Sequence, residues 1–105
     1  MDVYVDVKVK NLRRAIVFYN KVLGLKILAN AKGWASLQAN KNAQIHLNPN
    51  WGATAGLEFR VKSVQSFVAG LKKKGVRTSG IRKYSWGMIA HFKDSEGNAL
   101  AVVED

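Results

Sequence analysis

The 105-residue sequence contains no cysteine, one proline (Pro49) and seven acidic residues. Without cysteine there can be no disulfide framework and no thiolate metal centre, and a reducing compartment is compatible with the chain. A single proline among 48% apolar residues argues against a disordered or PPII-rich polymer. The longest apolar runs are four or five residues, too short to span a bilayer. Asp2 follows Met1 with no basic-then-apolar leader, so no secretory signal is expected and the location expected is cytoplasmic. Acid is scarce beside 17 Lys and Arg, which gives a formal charge of +10. Such a surplus suits an anionic partner. Most of the cations are dispersed, however, and read as a solubilising surface. The dense run Lys72-Lys73-Lys74 falls late in an expected helix, where cations complement the helix C-terminus.

The chain carries an internal repeat. A shift of 52 positions lays residues 5–19 over 57–71. Asp6 then meets Glu58, Lys8 meets Arg60, and Val9-Lys10 returns as Val61-Lys62. Asn11 and Ser63, both good N-caps, coincide. The apolar helix positions Leu12/Val64, Ile16/Val68 and Tyr19/Leu71 coincide as well, and Gly24 and Gly75 end the two helices. Each half reads as a strand (3–9, 56–61), an amphipathic helix (11–22, 63–74) and three strands (25–30, 33–39, 43–48; 77–84, 87–93, 98–104). Period-two alternation puts Val3, Val5, Val7 and Val9 on one face and Tyr4, Asp6 and Lys8 on the other. In the turn before the last strand, Asp94 and Asn98 can bond the backbone and Gly97 can take a positive φ. The expectation is an α+β fold: one domain, 1–105, of two βαβββ modules (1–50 and 54–105). Their curved mixed sheets would enclose a groove, with helices on the outer faces. A module of this size is marginal alone, so pairing with the other module or with a second chain, as a homodimer, is expected.

This order of elements, with Val9-Lys10-Asn11-Leu12, Phe18-Tyr19-Asn20-Lys21-Val22-Leu23-Gly24-Leu25, Trp86-Gly87 and Phe92-Lys93-Asp94-Ser95-Glu96-Gly97-Asn98, resembles the vicinal oxygen chelate superfamily of glyoxalases, extradiol dioxygenases, and fosfomycin- and bleomycin-resistance proteins. Ser95 stands where the family pattern has proline. The resemblance implies a set of metal-ligand positions, which fall here on Tyr4, His46, Gly56 and Ala101. A divalent ion needs three or more lone-pair donors at about 2.0–2.3 Å. Glycine and alanine side chains offer none, and tyrosine would have to shed a proton with a pKa of about 10. Only His46 is a natural ligand. No metal and no other cofactor is therefore expected, and the family's Lewis-acid chemistry loses its basis.

The face away from the helices would carry Tyr4, Asp6, Lys8, Trp34, Ser36, Gln38, Gln44, His46 and Asn48, then Glu58, Arg60, Ile89, His91, Ala99, Ala101 and Val103. Rings, amides and charges of both signs suit a small-molecule site. The plainer reading is that Asp6/Lys8 and Glu58/Arg60 pair as structural ions. Trp34 and Trp51 read as stacking surfaces at the groove mouth, and Trp86 reads as packing. The candidate ligand-binding set is Tyr4, Asp6, Trp34, Gln44, His46, Trp51, Glu58, Arg60 and His91. No nucleophile elbow, P-loop or dinucleotide fingerprint is present. The expected function is metal-free binding of a neutral or anionic aromatic molecule, as in bleomycin-resistance-like proteins. Cationic drugs would be repelled by the net charge. The alternatives are an enzyme of the superfamily with atypical ligands or acid–base use of His46, and nucleic-acid binding. The last is disfavoured because no helix-turn-helix, RNP-like or zinc-finger pattern occurs.

Overall fold

The computed structural model describes all 105 residues, Met1–Asp105. The chain forms β1 (Val3–Lys8), α1 (Leu12–Val17), β2 (Lys26–Ala31), β3 (Trp34–Asn40) and β4 (Ala43–Asn48). It then forms β5 (Ala55–Arg60), α2 (Val64–Lys73), β6 (Arg82–Tyr84), β7 (Gly87–Lys93) and β8 (Ala99–Glu104). The strands make two open four-stranded sheets with orders β1-β4-β3-β2 and β5-β8-β7-β6. These orders are the same topology written twice, as the repeat requires. In each sheet the first strand pairs in parallel with the fourth, and the remaining pairs are antiparallel. The two sheets belong to separate compact units. The first is Met1–Thr54 with Asp94–Asn98, and the second is Ala55–Lys93 with Ala99–Asp105.

In the first unit α1 packs on β3 and β4. Ala15, Ile16, Phe18 and Tyr19 are buried, as are Ala35, Leu37, Ile45, Leu47, Val7 and Val9. In the second, α2 packs on β7 and β8. Its stripe Val64, Val68 and Leu71 is buried, together with Ala90, Phe92, Leu100 and Val102. Spacing by three and four residues gives α2 this face, and strand alternation gives the matching sheet face.

Both helices are capped as the sequence indicates. The Asn11 side chain accepts from Arg14 N at 3.0 Å, and Ser63 Oγ accepts from Ser66 N at 3.1 Å. Neither helix has an acid in its first turn. Each instead receives a distant carboxylate at its positive end: Glu96 Oε1 accepts from Asn11 N at 2.6 Å, and Glu104 Oε1 accepts from Val64 N at 2.9 Å.

Two elements differ from expectation. The first helix keeps α geometry only over Leu12–Val17 and then widens into a π-helical turn, Phe18–Val22, closed by Leu23 N donating to Phe18 O at 3.1 Å. Leu25 N donates to Tyr19 O, so the chain leaves the helix through Gly24 at φ 79°. The sixth strand is cut from 77–84 to three residues. Thr78 makes an isolated bridge to Phe92. Ser79 then diverts the ladder, because its hydroxyl accepts from His91 N at 2.8 Å while its own N–H donates to His91 O. A serine hydroxyl that replaces a backbone partner in this way interrupts regular pairing.

The turn Asp94–Asn98 supplies the first unit with its densest hydrogen bonding. Asp94 Oδ1 accepts from the backbone N–H of Glu96 (2.8 Å) and Asn98 (2.9 Å). Its Oδ2 accepts from Tyr19 OH (2.7 Å) and Asn98 Nδ2 (2.9 Å). Asn98 Nδ2 also donates to Lys8 O at 2.8 Å. Burial first, and then the Asp94 charge, push the Tyr19 hydroxyl far above the usual phenol range, so it remains a donor at any ordinary pH. Glu96 receives Arg14 Nε at 2.7 Å and Nη2 at 3.1 Å. Those bonds, followed by Asn11 N–H and the Ser95 hydroxyl, hold its carboxyl down to about 2 although burial acts in the other direction.

Two outcomes follow for stability. Tyr19→Phe leaves buried Asp94 one donor short and should lower unfolding free energy by about 1–3 kcal/mol in urea titrations. A change within error would show that the bond contributes nothing. Glu96 has a folded pKa depressed to about 2 from 4.5, so its contribution is complete above 4.5 and is lost as pH falls through that interval. The stability gap between wild type and Glu96→Gln should therefore be constant above about pH 5.5 and shrink between 4.5 and about 2, measured by denaturation across pH.

Candidate functional site

Sheet register assembles a polar and aromatic cluster on the face of the first sheet that α1 does not cover. In the β1–β4 pairing Tyr4 lies opposite Gln44 and Asp6 opposite His46. In the β3–β4 pairing Ser36 lies opposite His46 and Gln38 opposite Gln44. His46 is central. Its ring stacks on Tyr4 at 4.9 Å and 25°, and lies 5.6 Å from Trp34 at 48°. Tyr4 and Trp34 remain 56% and 41% exposed, so ring surface is available to a ligand.

Gln44 ties the cluster together. Its Oε1 accepts from Ser36 Oγ at 2.7 Å and lies within hydrogen-bond distance of His46 Nε2, at 3.0 Å. Asp6 shares the register position, but the imidazole hydrogen bond goes to Gln44. The arrangement therefore presents rings, an imidazole and the amide hydrogens of Gln44. It lacks the carboxylate-oriented imidazole that general-base catalysis uses.

The remaining predicted residue of this unit is elsewhere. Trp51 is 62% exposed, in the linker after β4. Asn48, expected beside His46 on the open face, is buried and occupied by that linker: its Oδ1 accepts from Asn50 N and Trp51 N, and its Nδ2 donates to Trp51 O. Ala53 then adds to the free edge of β1, donating to Asp6 O at 2.8 Å and accepting from Lys8 N at 3.0 Å. Gly52 at φ 123° lies so close to the Asp6 carbonyl that a Cβ would collide with it. The linker is thus fixed, but the Trp51 ring makes no ring contact with the His46 cluster.

In the second unit Glu58, Ala101 and His91 are neighbours across β5, β8 and β7. They line a hollow of about 220 Å³ with Gly56, Leu57, Ala99 and Leu100. Arg60 lies outside it and pairs with Asp105 at 3.2 Å. The expected ion pairs Asp6/Lys8 and Glu58/Arg60 do not form; the ion pairs present are Arg14–Glu96 and Arg60–Asp105. Trp86 also departs from expectation. It is 51% exposed and stacks on Tyr84, itself 46% exposed, at 5.6 Å and 5°. Sequence reasoning missed Tyr84, whose signal was its place two residues before Trp86. The larger hollow of about 500 Å³, beside α1 and lined by Leu12, Arg13, Ile16, Val17 and Asn30, contains none of the predicted site residues.

The four positions matched to metal ligands carry Tyr4, His46, Gly56 and Ala101. No three His, Asp or Glu side chains gather closely enough to hold a metal ion. The donor set does not fit the superfamily's divalent metal.

Structural comparison finds the same fold in several solved proteins. TnmS3, an antibiotic binding protein from Streptomyces sp. CB03234, is 25% identical, with a TM-score of 0.88 over 99% of this chain and 94% of that one. The integron cassette protein HFX_CASS4, from the mobile metagenome of the Halifax Harbour sewage outfall, is 26% identical, with a TM-score of 0.87 over 100% and 98% of the two chains. A glyoxalase/bleomycin resistance protein, also from Streptomyces sp. CB03234, is 25% identical, with a TM-score of 0.84 over 98% and 99%. No curated protein matches the sequence. The model of one family matches residues 3–102, nearly the whole chain, and with the duplicated βαβββ topology it establishes that the chain belongs to the Glyoxalase/Bleomycin resistance protein/Dioxygenase superfamily.

Proposed function

We propose that this protein is a metal-free binder of a small neutral or anionic aromatic molecule and that it holds its ligand without transforming it. The observation that carries the reading is the Tyr4–His46–Trp34 cluster, in which a metal-ligand position of the family has become part of an aromatic surface. Exposed rings take a flat ligand by stacking. The Gln44 amide and the His46 imidazole supply hydrogen-bonding groups to orient it. The net charge of +10 favours a neutral or anionic ligand over a cationic one. The antibiotic binding described for TnmS3 supports a binding role in a protein of this fold. A homodimer and a cytoplasmic location belong to the same proposal.

The test uses a chain with Trp34 as its only tryptophan, made by Trp51→Phe and Trp86→Phe. Titration with neutral and carboxylated polycyclic aromatics should quench Trp34 saturably for at least one class. His46→Ala or Tyr4→Ala should weaken that binding by about tenfold, the loss of one stacking partner. Absence of both saturable quenching and any thermal shift across the panel would refute the reading. Light scattering should give twice the 11.6 kDa chain mass, and a monomer would contradict the dimer.

A further inference from the structure

We infer that the β6–β7 hairpin of the second unit binds single-stranded nucleic acid. Between Phe59 and Lys93 the sequence contains nine Lys and Arg and no Asp or Glu. All nine cations are exposed. The unit has three acids: Asp105 pairs with one of these cations, Arg60, Glu104 caps α2, and Glu58 borders the hollow beside His91. Arg82 and Lys83 make no ion pair; strand alternation puts Arg82 on the face of Tyr84 and Lys83 on the opposite face.

Charge alone would suit any polyanion. The exposed Tyr84–Trp86 stack narrows the class. The two rings are parallel within 5° and sit at the two-residue turn between β6 and β7. Gly87, at φ 151°, holds the following strand against the Glu104 carbonyl, where a Cβ would collide, so the turn is anchored at its base. An anchored aromatic platform beside exposed cations is the combination that single strands use: bases stack on the rings while Lys and Arg follow the phosphates. Duplex DNA keeps its bases stacked internally and gains nothing from the rings. A second copy of this chain is disfavoured as the occupant, because the face would meet its own charge.

The surface lies on the second unit and does not depend on the first-sheet site, so either reading can fail alone. The test measures fluorescence anisotropy of a labelled oligothymidylate of about 12 nucleotides with the full-length protein. Binding should weaken by about tenfold or more between about 50 and about 200 mM salt. It should quench Trp86 saturably in a Trp34→Phe, Trp51→Phe chain. Trp86→Ala with Tyr84→Ala should cost about tenfold or more. If that pair unfolds the chain, as judged by circular dichroism, Arg82→Gln with Lys83→Gln should weaken binding and flatten its salt dependence. Two results overturn the proposal: no binding at about 50 mM salt, or equal affinity for oligothymidylate, duplex and heparin with no Trp86 quenching.

Discussion

The buried carboxylate of Asp94 is the interaction on which the first unit depends. It accepts four hydrogen bonds, two from backbone N–H groups of its own turn and two from Tyr19 and Asn98. A buried charge is tolerated only when its lone pairs are met in this way. Tyr19 brings in the end of the first helix, Asn98 reaches the end of β1, and Glu96 caps the start of α1. A five-residue turn flanked by β7 and β8 thereby belongs to the unit built from residues 1–54. The chain therefore passes between its two compact units three times.

That scaffold leaves one face of the first sheet uncovered by α1, and it carries the Tyr4–His46–Trp34 cluster. Where metal-using relatives need a donor, β1 offers a phenol whose ring stacks on His46, and β8 offers the methyl of Ala101. The His46 imidazole lies within hydrogen-bond distance of a glutamine amide, not of a carboxylate. Each substitution removes polarising power and adds flat or neutral surface. This exchange suits recognition better than turnover, since binding needs complementarity to the ground state whereas catalysis needs groups that act on the transition state.

Much of this was legible in the sequence because the fold is duplicated. The alignment of 5–19 with 57–71 fixed the strand–helix pairing, and both N-caps and the face of Tyr4, Gln44 and His46 followed from local rules. What escaped were effects carried by single polar atoms between distant segments. The repeat sets Tyr19 against Leu71, and that hydroxyl was the visible sign of a buried acceptor elsewhere in the chain; periodicity does not say where. Ser79 shortened β6 by capturing a ladder donor, a contact that depends on the opposite strand. Trp86 was assigned to packing from residue type alone. The two-residue turn that lifts it into solvent beside Tyr84 is set by strand register, which composition does not reveal.

The central proposal is that the open face of the first sheet binds a small molecule without a metal. Native mass spectrometry of protein purified without chelator tests it most directly. The account predicts a protein free of stoichiometric metal that retains or takes up a small aromatic molecule. Stoichiometric nickel, zinc, manganese or iron bound to the folded protein would contradict it.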